Sequence, residues 1–222
     1  MNRAVLTQVR DLMPIRPLTR IEALSVAERQ AARLLDLRHV TGPAVPETVI
    51  SDLPKVQVTR SYRLLQSAMS AWEHGRWRIV INATDSTNRQ RFSLAHETKH
   101  ILDHPFVDQL YGAIDPHERD DWIEAVCDYF AGCLLMPRRW LKHAWVTGNQ
   151  HVSTLAYRFE TSQAAIRTRL AQTGLTAPQR RCDHRHHQPR SYHRTRRYNR
   201  TPAGSFGSVT TTRHQPYSLS AR

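Results

Sequence analysis

Apolar residues follow two different periods along the chain. An alternating pattern over residues 55–59 predicts a strand, and two further such segments flank Glu73-His-Gly-Arg76, which predicts a hairpin with Gly75 in its turn. From residue 89 the period changes from two to 3.6, which is typical of amphipathic helices. The predicted hairpin strands are 67–72 and 77–81, and the predicted helices are 25–37 with Ser25 as N-cap, 89–102, 118–135, 152–159 and 162–172.

Length and composition limit the classes of protein to which the chain can belong. Its 222 residues suit one domain, or one domain with a small appendage. Three cysteines are too few for a secreted disulfide scaffold and suit a reducing compartment. The longest apolar stretch, 130–136, is far shorter than the roughly 18 residues of a membrane helix, and residues 1–10 lack a signal-peptide core. We therefore expect a cytoplasmic protein without a membrane partner.

The positive charge is concentrated at one end of the chain. Residues 177–222 contain ten arginines and one acidic residue, a net charge of +9 out of a total of +13. Few of these residues are large and apolar, so the segment predicts a disordered Arg/His-rich tail that can contact nucleic acid. The predicted organisation is a folded domain over 18–147, a helical segment over 148–176 and this tail.

The predicted helix over 89–102 contains the clearest candidate chemistry. His96 and His100 are four residues apart, so both imidazoles project from one face of the helix. This spacing is typical of two ligands of one Zn²⁺ ion. Glu97 follows the first histidine and is placed to act as general base toward the attacking water.

A third protein ligand is expected, because catalytic zinc usually has three. His104 lies eight residues beyond His96, about 12 Å along a continuous helix, which is too far. Glu124 is the better candidate, since it lies on a second helix that can pack against the first. Asp128 shares its face and is predicted to accept a hydrogen bond from the free nitrogen of a ligating histidine.

Two further features have a structural and a functional interpretation. Lys99 lies between the histidines, and we expect it to be an exposed helix lysine. The two helices over 152–172 resemble a helix-turn-helix in which Arg158, Arg167 and Arg169 can contact phosphate. Packing against the rest of the domain is the alternative for this segment, and we favour it.

Three segments together resemble a known family. Arg91-Phe-Ser-Leu-Ala-His-Glu-Thr-Lys-His100, Glu124-Ala-Val-Cys-Asp-Tyr-Phe-Ala131 and Leu134-Leu-Met-Pro137 are similar to the ImmA/IrrE metallopeptidases, and the resemblance extends over about 25–175. It implies that His96, His100 and Glu124 bind Zn²⁺ and that Glu97 is the catalytic residue. Lys99 stands where the family usually has glycine, and Cys127-Asp128 stands where Ala-Asn is common.

The resemblance implies both a fold class and a reaction. We expect an α+β, mainly helical, zincin-like metallopeptidase with a small antiparallel sheet and its metal site between two helices. The implied function is zinc-dependent cleavage of a repressor-type transcription factor, acting as a separate chain, to relieve repression under stress or in a mobile element. Two alternatives remain: a DNA-binding regulator that keeps the zinc fold without proteolysis, and a general cytosolic metallopeptidase.

Overall fold

A computed structural model of the protein describes residues 4–148 and 150–176. The predictions of disorder and nucleic-acid contact for residues 177–222 lie outside this part of the chain. The strands are β1 (Val56–Ser61), β2 (Ala68–Glu73) and β3 (Arg76–Asn82). The helices are α1 (Val5–Arg10), α2 (Arg20–Leu37), α3 (Thr48–Ser51), α4 (Thr87–Asp103), α5 (Val107–Tyr111), α6 (Pro116–Leu135), α7 (Arg138–Val146), α8 (Val152–Phe159) and α9 (Gln163–Gln172), with a 3₁₀ turn over His104–Phe106.

The three strands form one mixed sheet in the order β1-β3-β2. The β2–β3 hairpin is antiparallel, as predicted, and its two-residue turn places His74 and Gly75 at φ 48° and 77°. Strand β1, however, pairs parallel to β3, so the expectation of an antiparallel sheet was wrong for this strand. Strand β3 lies at the centre, where Trp77, Ile79 and Ile81 are all buried, whereas most residues of β1 and β2 are half-buried or exposed.

Helix α4 packs on β2 and β3, and α6 packs against both α4 and α2, so that these elements enclose the main core. Helix α2 begins five residues before the predicted start, because Thr19, not Ser25, is its N-cap. The Thr19 hydroxyl accepts a hydrogen bond from the Glu22 N–H, and the Glu22 carboxylate accepts one from the Thr19 N–H. This reciprocal capping box satisfies two N–H groups at the start of the helix.

The core also includes residues that precede position 18, where the sequence analysis placed the start of the domain. Val9 on α1 is fully buried, and Met13 belongs to the same cluster. Arg10 donates hydrogen bonds to the carbonyl oxygens of Ile101 (2.6 Å) and Leu102 (3.2 Å). Because these carbonyls belong to the last turn of α4, helix α1 stabilises the end of the helix that carries the two histidines.

Helices α7, α8 and α9 surround a smaller cluster that includes Leu141, Phe159 and Ile166. The Arg169 guanidinium connects α9 to the main domain, since it donates to the Met136 carbonyl (3.2 Å) and to Glu28 Oε1 (3.1 Å). Arg169 is 1% exposed, which agrees with the packing that the sequence analysis favoured for this segment, whereas Arg167 is exposed. None of the described helices is both long enough and apolar enough to cross a membrane.

Candidate metal centre

Helix α4 places the two histidines at the interface with α6. Its N-terminus is capped by Ser86, whose hydroxyl accepts a hydrogen bond from the Arg89 N–H, and the helix then packs on β2, β3 and α6. One turn separates His96 from His100, and their Nε2 atoms are 3.0 Å apart. His100 is buried and His96 nearly so, which means that both imidazoles point toward the interior at one position.

Glu124 reaches the same position from α6. Its Oε2 lies 3.2 Å from His96 Nε2, and its Oε1 lies 3.2 Å from His100 Nε2. Each carboxylate oxygen therefore contacts a different imidazole. The structure thus brings together the three side chains that the sequence analysis proposed as metal ligands, although α4 and α6 are separated by the segment 104–115.

Asp128 lies one helical turn after Glu124, and its Oδ1 is 2.8 Å from His96 Nδ1. When the imidazole is neutral, this contact places its proton on Nδ1 and leaves the lone pair of Nε2 facing His100 and Glu124. The sequence analysis proposed Asp128 for such a contact, and its role beside a metal-bound histidine stays a prediction. The carboxylate is largely exposed, so it orients the ring from the solvent side of the site.

The same contacts set the charge of the site. Burial lowers the pKa of His96, but hydrogen bonds to Asp128 and Glu124 outweigh that effect and raise its pKa to about 9. Burial tends to raise the pKa of Glu124, yet its bonds to His100 and His96 hold that pKa well below the usual range. Glu124 is therefore a carboxylate at neutral pH, which is the form that a cation requires.

Glu97 lies beside this cluster and is only 3% exposed. Its Oε2 accepts a hydrogen bond of 2.7 Å from the Ser70 hydroxyl on β2. Ser70 is a residue that the sequence analysis missed, because the contact joins a strand to a helix 27 positions later and no local pattern indicates it. The bond fixes the orientation of the Glu97 carboxylate relative to the edge of the sheet.

Cys127 is a further donor close to the histidines. Its Sγ and one nitrogen of each imidazole all lie within 4.8 Å of one another. Burial raises the pKa of this thiol well above its usual value, and the neighbouring carboxylates add to the shift. Because a thiolate is the form that binds metal, the fully buried Cys127 is a weaker candidate than the ionised Glu124. The sequence analysis named Cys127 only as a departure from the family pattern.

The donor chemistry fits zinc. Two imidazole nitrogens and one carboxylate form a common set of three protein ligands in catalytic zinc sites. The Nδ1 contact of His96 with a carboxylate is the usual outer partner of a zinc-bound histidine. The residues present are therefore suited to hold a divalent ion with a nitrogen and oxygen preference.

Lys99 is buried, and its predicted exposure was wrong. Its side chain is 1% exposed, and its ammonium donates to Asp103 Oδ1 (2.6 Å) and to Gln30 Oε1 (2.8 Å). The second oxygen of Asp103 accepts a hydrogen bond of 2.7 Å from the Tyr111 hydroxyl. Lys99 therefore points away from the metal ligands and into a polar network that joins α4 to α2 and α5.

Comparison with known proteins agrees with this architecture. The family described as Peptidase_M78, the IrrE N-terminal-like domain, matches residues 56–171, which is just over half of the chain. The chain belongs to this family. The matched range contains all the candidate site residues and extends through most of α9, so the helix pair α8–α9 is part of the domain that defines the family.

One solved structure, described as a Mycobacterium tuberculosis transcriptional regulator, has a similar fold. The TM-score is 0.50 at 16% sequence identity, and the match covers 76% of this chain and 52% of that one. This chain therefore spans about half the length of that structure, and the likeness concerns the fold alone. A comparison with curated protein sequences finds no match.

Proposed function

We propose that this protein is a zinc-dependent endopeptidase. The observation that carries the proposal is the close contact of three side chains beside the buried carboxylate of Glu97. The two histidine Nε2 atoms are 3.0 Å apart, and each lies 3.2 Å from one carboxylate oxygen of Glu124. Membership of a peptidase family supports it. His96, His100 and Glu124 would hold the zinc ion, which supplies a Lewis acid that polarises the scissile carbonyl and makes a water molecule more acidic.

The remaining chemistry belongs to Glu97. Its carboxylate takes a proton from the attacking water and later delivers a proton to the leaving amine. Ser70 holds one oxygen of this carboxylate at 2.7 Å and so limits its rotation. Asp128 keeps the His96 proton on Nδ1, which leaves Nε2 available as a donor atom to the metal.

The sheet offers a binding place for an extended peptide. Among the described residues β2 pairs only with β3, so its outer edge carries backbone groups that lack a strand partner. Extended peptides bind such an edge by adding a strand to the sheet. Because Ser70 on β2 contacts Glu97, a peptide paired with β2 would pass directly beside the general base.

We further propose that the substrate is a repressor-type DNA-binding protein and that its cleavage relieves repression. The support is the resemblance of residues 91–100 and 124–137 to the ImmA/IrrE metallopeptidases. A direct test incubates the zinc-loaded protein with the repressor encoded nearest to its gene, and separately with unfolded casein. A single cut in the repressor, with casein intact, supports this substrate. Cleavage of casein alone indicates a general peptidase, and cleavage of neither contradicts the proposal.

The zinc site and the general base can be tested separately. We expect wild-type protein and Glu97→Gln to contain one zinc ion per chain by elemental analysis, and the double variant His96→Ala/His100→Ala to contain none. Glu97→Gln should reduce peptide hydrolysis by about 10²–10⁴-fold, because the amide cannot accept a proton. Glu118→Gln, an exposed position on α6, is the matched control and should retain full activity.

Two outcomes contradict these assignments. Full zinc content in the double histidine variant would show that His96 and His100 are not the metal ligands. Wild-type turnover by Glu97→Gln, in an assay that a chelator abolishes, removes Glu97 from the mechanism.

A further inference from the structure

We propose that Trp72 selects the substrate by binding an apolar side chain, aromatic or long aliphatic, close to the bond that is cut. The inference rests on the proposed peptidase function and names the class of peptide that the same site accepts. Trp72 lies on the edge strand β2, two residues after Ser70, the residue that contacts Glu97.

The register of β2 determines which face Trp72 occupies. Side chains alternate along a strand, so Ser70 and Trp72 project from the same face of the sheet, about 6.6 Å apart. That face is the one covered by α4, since Ser70 reaches Glu97 there. A peptide strand that pairs with β2 places one side chain on this face beside Ser70. A second peptide side chain, about two residues along, lies beside Trp72.

Trp72 is both exposed and held in place. It is 45% exposed, although its ring packs edge-on against Trp77, with the ring centres 5.4 Å apart and the planes at 64°. Trp77 is 8% exposed and in turn packs edge-on against His104, at 5.0 Å and 75°. The row from Trp72 to His104 is thus anchored at the end of α4 and presents a positioned indole to the solvent.

An apolar partner fits this surface best. The charged side chains of the hairpin, Glu73, Arg76 and Arg78, alternate with Trp72 and Trp77 along the strands, so they project from the opposite face of the sheet. The exposed indole therefore offers a large apolar area on a face where the paired hairpin residues carry no charge. Covering it with an aromatic or aliphatic side chain removes both surfaces from water, and a preference of about 10- to 100-fold over a charged side chain is expected.

The experiment uses a defined library of random decapeptides and the full-length zinc-loaded protein. Cut sites of the wild type are read by mass spectrometry, and we expect an apolar residue to be enriched at one fixed position within three residues of the cut. Trp72→Ala should lose this enrichment and raise KM more than it changes kcat, whereas Trp72→Phe should keep most of it. Tyr157→Ala, at an 88% exposed aromatic residue on α8, is the matched control.

A binding measurement separates this inference from the proposed function. Immobilised Glu97→Gln protein, loaded with zinc, should retain library peptides rich in apolar residues, and Glu97→Gln/Trp72→Ala should retain them without that preference. If the wild type cuts nothing while this difference persists, the peptidase proposal fails, and the binding of apolar peptide side chains by Trp72 stands. The inference is overturned if Trp72→Ala, with unchanged zinc content, still shows the enrichment of apolar residues near the cut. It is also overturned if the wild type prefers charged residues there.

Discussion

At the scale of single residues, the site depends on which nitrogen of His96 faces which carboxylate. Nδ1 contacts Asp128, while Nε2 contacts Glu124 and the second histidine. Two carboxylates thus act on one imidazole, which explains why its pKa rises despite burial. Metal and proton compete for the same nitrogen, and the stability of the protein should reveal that competition.

The stability of the metal-free protein should fall as the pH rises from 6.5 to about 9. In this interval His96 binds a proton in the folded chain but not in the unfolded chain, whose imidazole has a pKa of 6.5. The stabilisation is complete below pH 6.5 and is lost as the pH passes the folded pKa, an effect of up to about 3 kcal/mol. Urea unfolding in the presence of a chelator at pH 6.5, 7.5 and 9 measures it.

Zinc should reverse this dependence, because the metal binds the deprotonated imidazole and its affinity increases with pH. His96→Gln is the control variant, and its metal-free stability should change less over the same interval. An equal decrease in His96→Gln and the wild type would show that another group causes the pH dependence.

At the scale of elements, the position of α4 is set by contacts from several directions. Arg10 on α1 binds the carbonyls of its last turn, Ser70 on β2 binds Glu97, and Glu124 on α6 meets its histidines. Lys99 and Asp103 add the buried network to Gln30 and Tyr111. The helix that carries His96, Glu97 and His100 is therefore positioned by polar contacts as well as by its apolar face.

Loss of the Lys99 ammonium should destabilise the fold more than loss of any exposed lysine. Lys99→Met leaves the 1% exposed carboxylate of Asp103 without its cation, which typically costs about 3–5 kcal/mol. Lys142→Met, at an exposed position on α7, should change the free energy of unfolding by less than about 0.5 kcal/mol. Denaturant unfolding of the zinc-loaded proteins provides both values.

The double variant Lys99→Met/Asp103→Leu distinguishes an unpaired charge from lost packing. It removes both charges together, so it should recover part of the stability that Lys99→Met loses. If Lys99→Met is as stable as Lys142→Met, the network does not hold α4 in place.

At the scale of the whole molecule, most of the net positive charge lies outside the residues that the structure describes. Residues 1–176 have a net charge of +4, whereas 177–222 have +9 and contain few residues that can form a core. The second part lies outside the described residues, so its role rests on composition. Arg169, in contrast, shows that an arginine within the folded part can serve packing, since it is buried between α6 and α2.

Truncation after Thr176 should separate polyanion binding from catalysis. We expect unchanged zinc content, thermal stability and peptide hydrolysis, but weaker binding to duplex DNA of random sequence. The slope of log affinity against log salt should also become shallower, because each neutralised phosphate contributes about 0.9 to it. A chain in which the ten tail arginines are replaced by glutamine is the matched control and should behave like the truncation. Unfolding or zinc loss after truncation would place the tail within the fold.

Local spacing was enough to predict much of the site and of the elements. The period of 3.6 identified the helices that became α4, α6, α8 and α9, and the His-Gly turn identified the hairpin. The four-residue interval between His96 and His100 determines that both imidazoles share a face, whatever packs against them. Glu124 was found by reasoning that a third donor must come from a second helix, and the structure brings it to the histidines.

The sequence by itself therefore determined helices α4, α6, α8 and α9, the hairpin and the shared face of His96 and His100, because these depend on intervals of a few residues. Only the tertiary structure decided the parallel pairing of β1, the burial of Lys99 and the contact of Ser70 with Glu97. Each of these joins surfaces that are far apart in the chain, as Lys99 and Gln30 are by 69 positions. A lysine is exposed or buried according to the carboxylate that packing brings to it, and no local pattern contains that information.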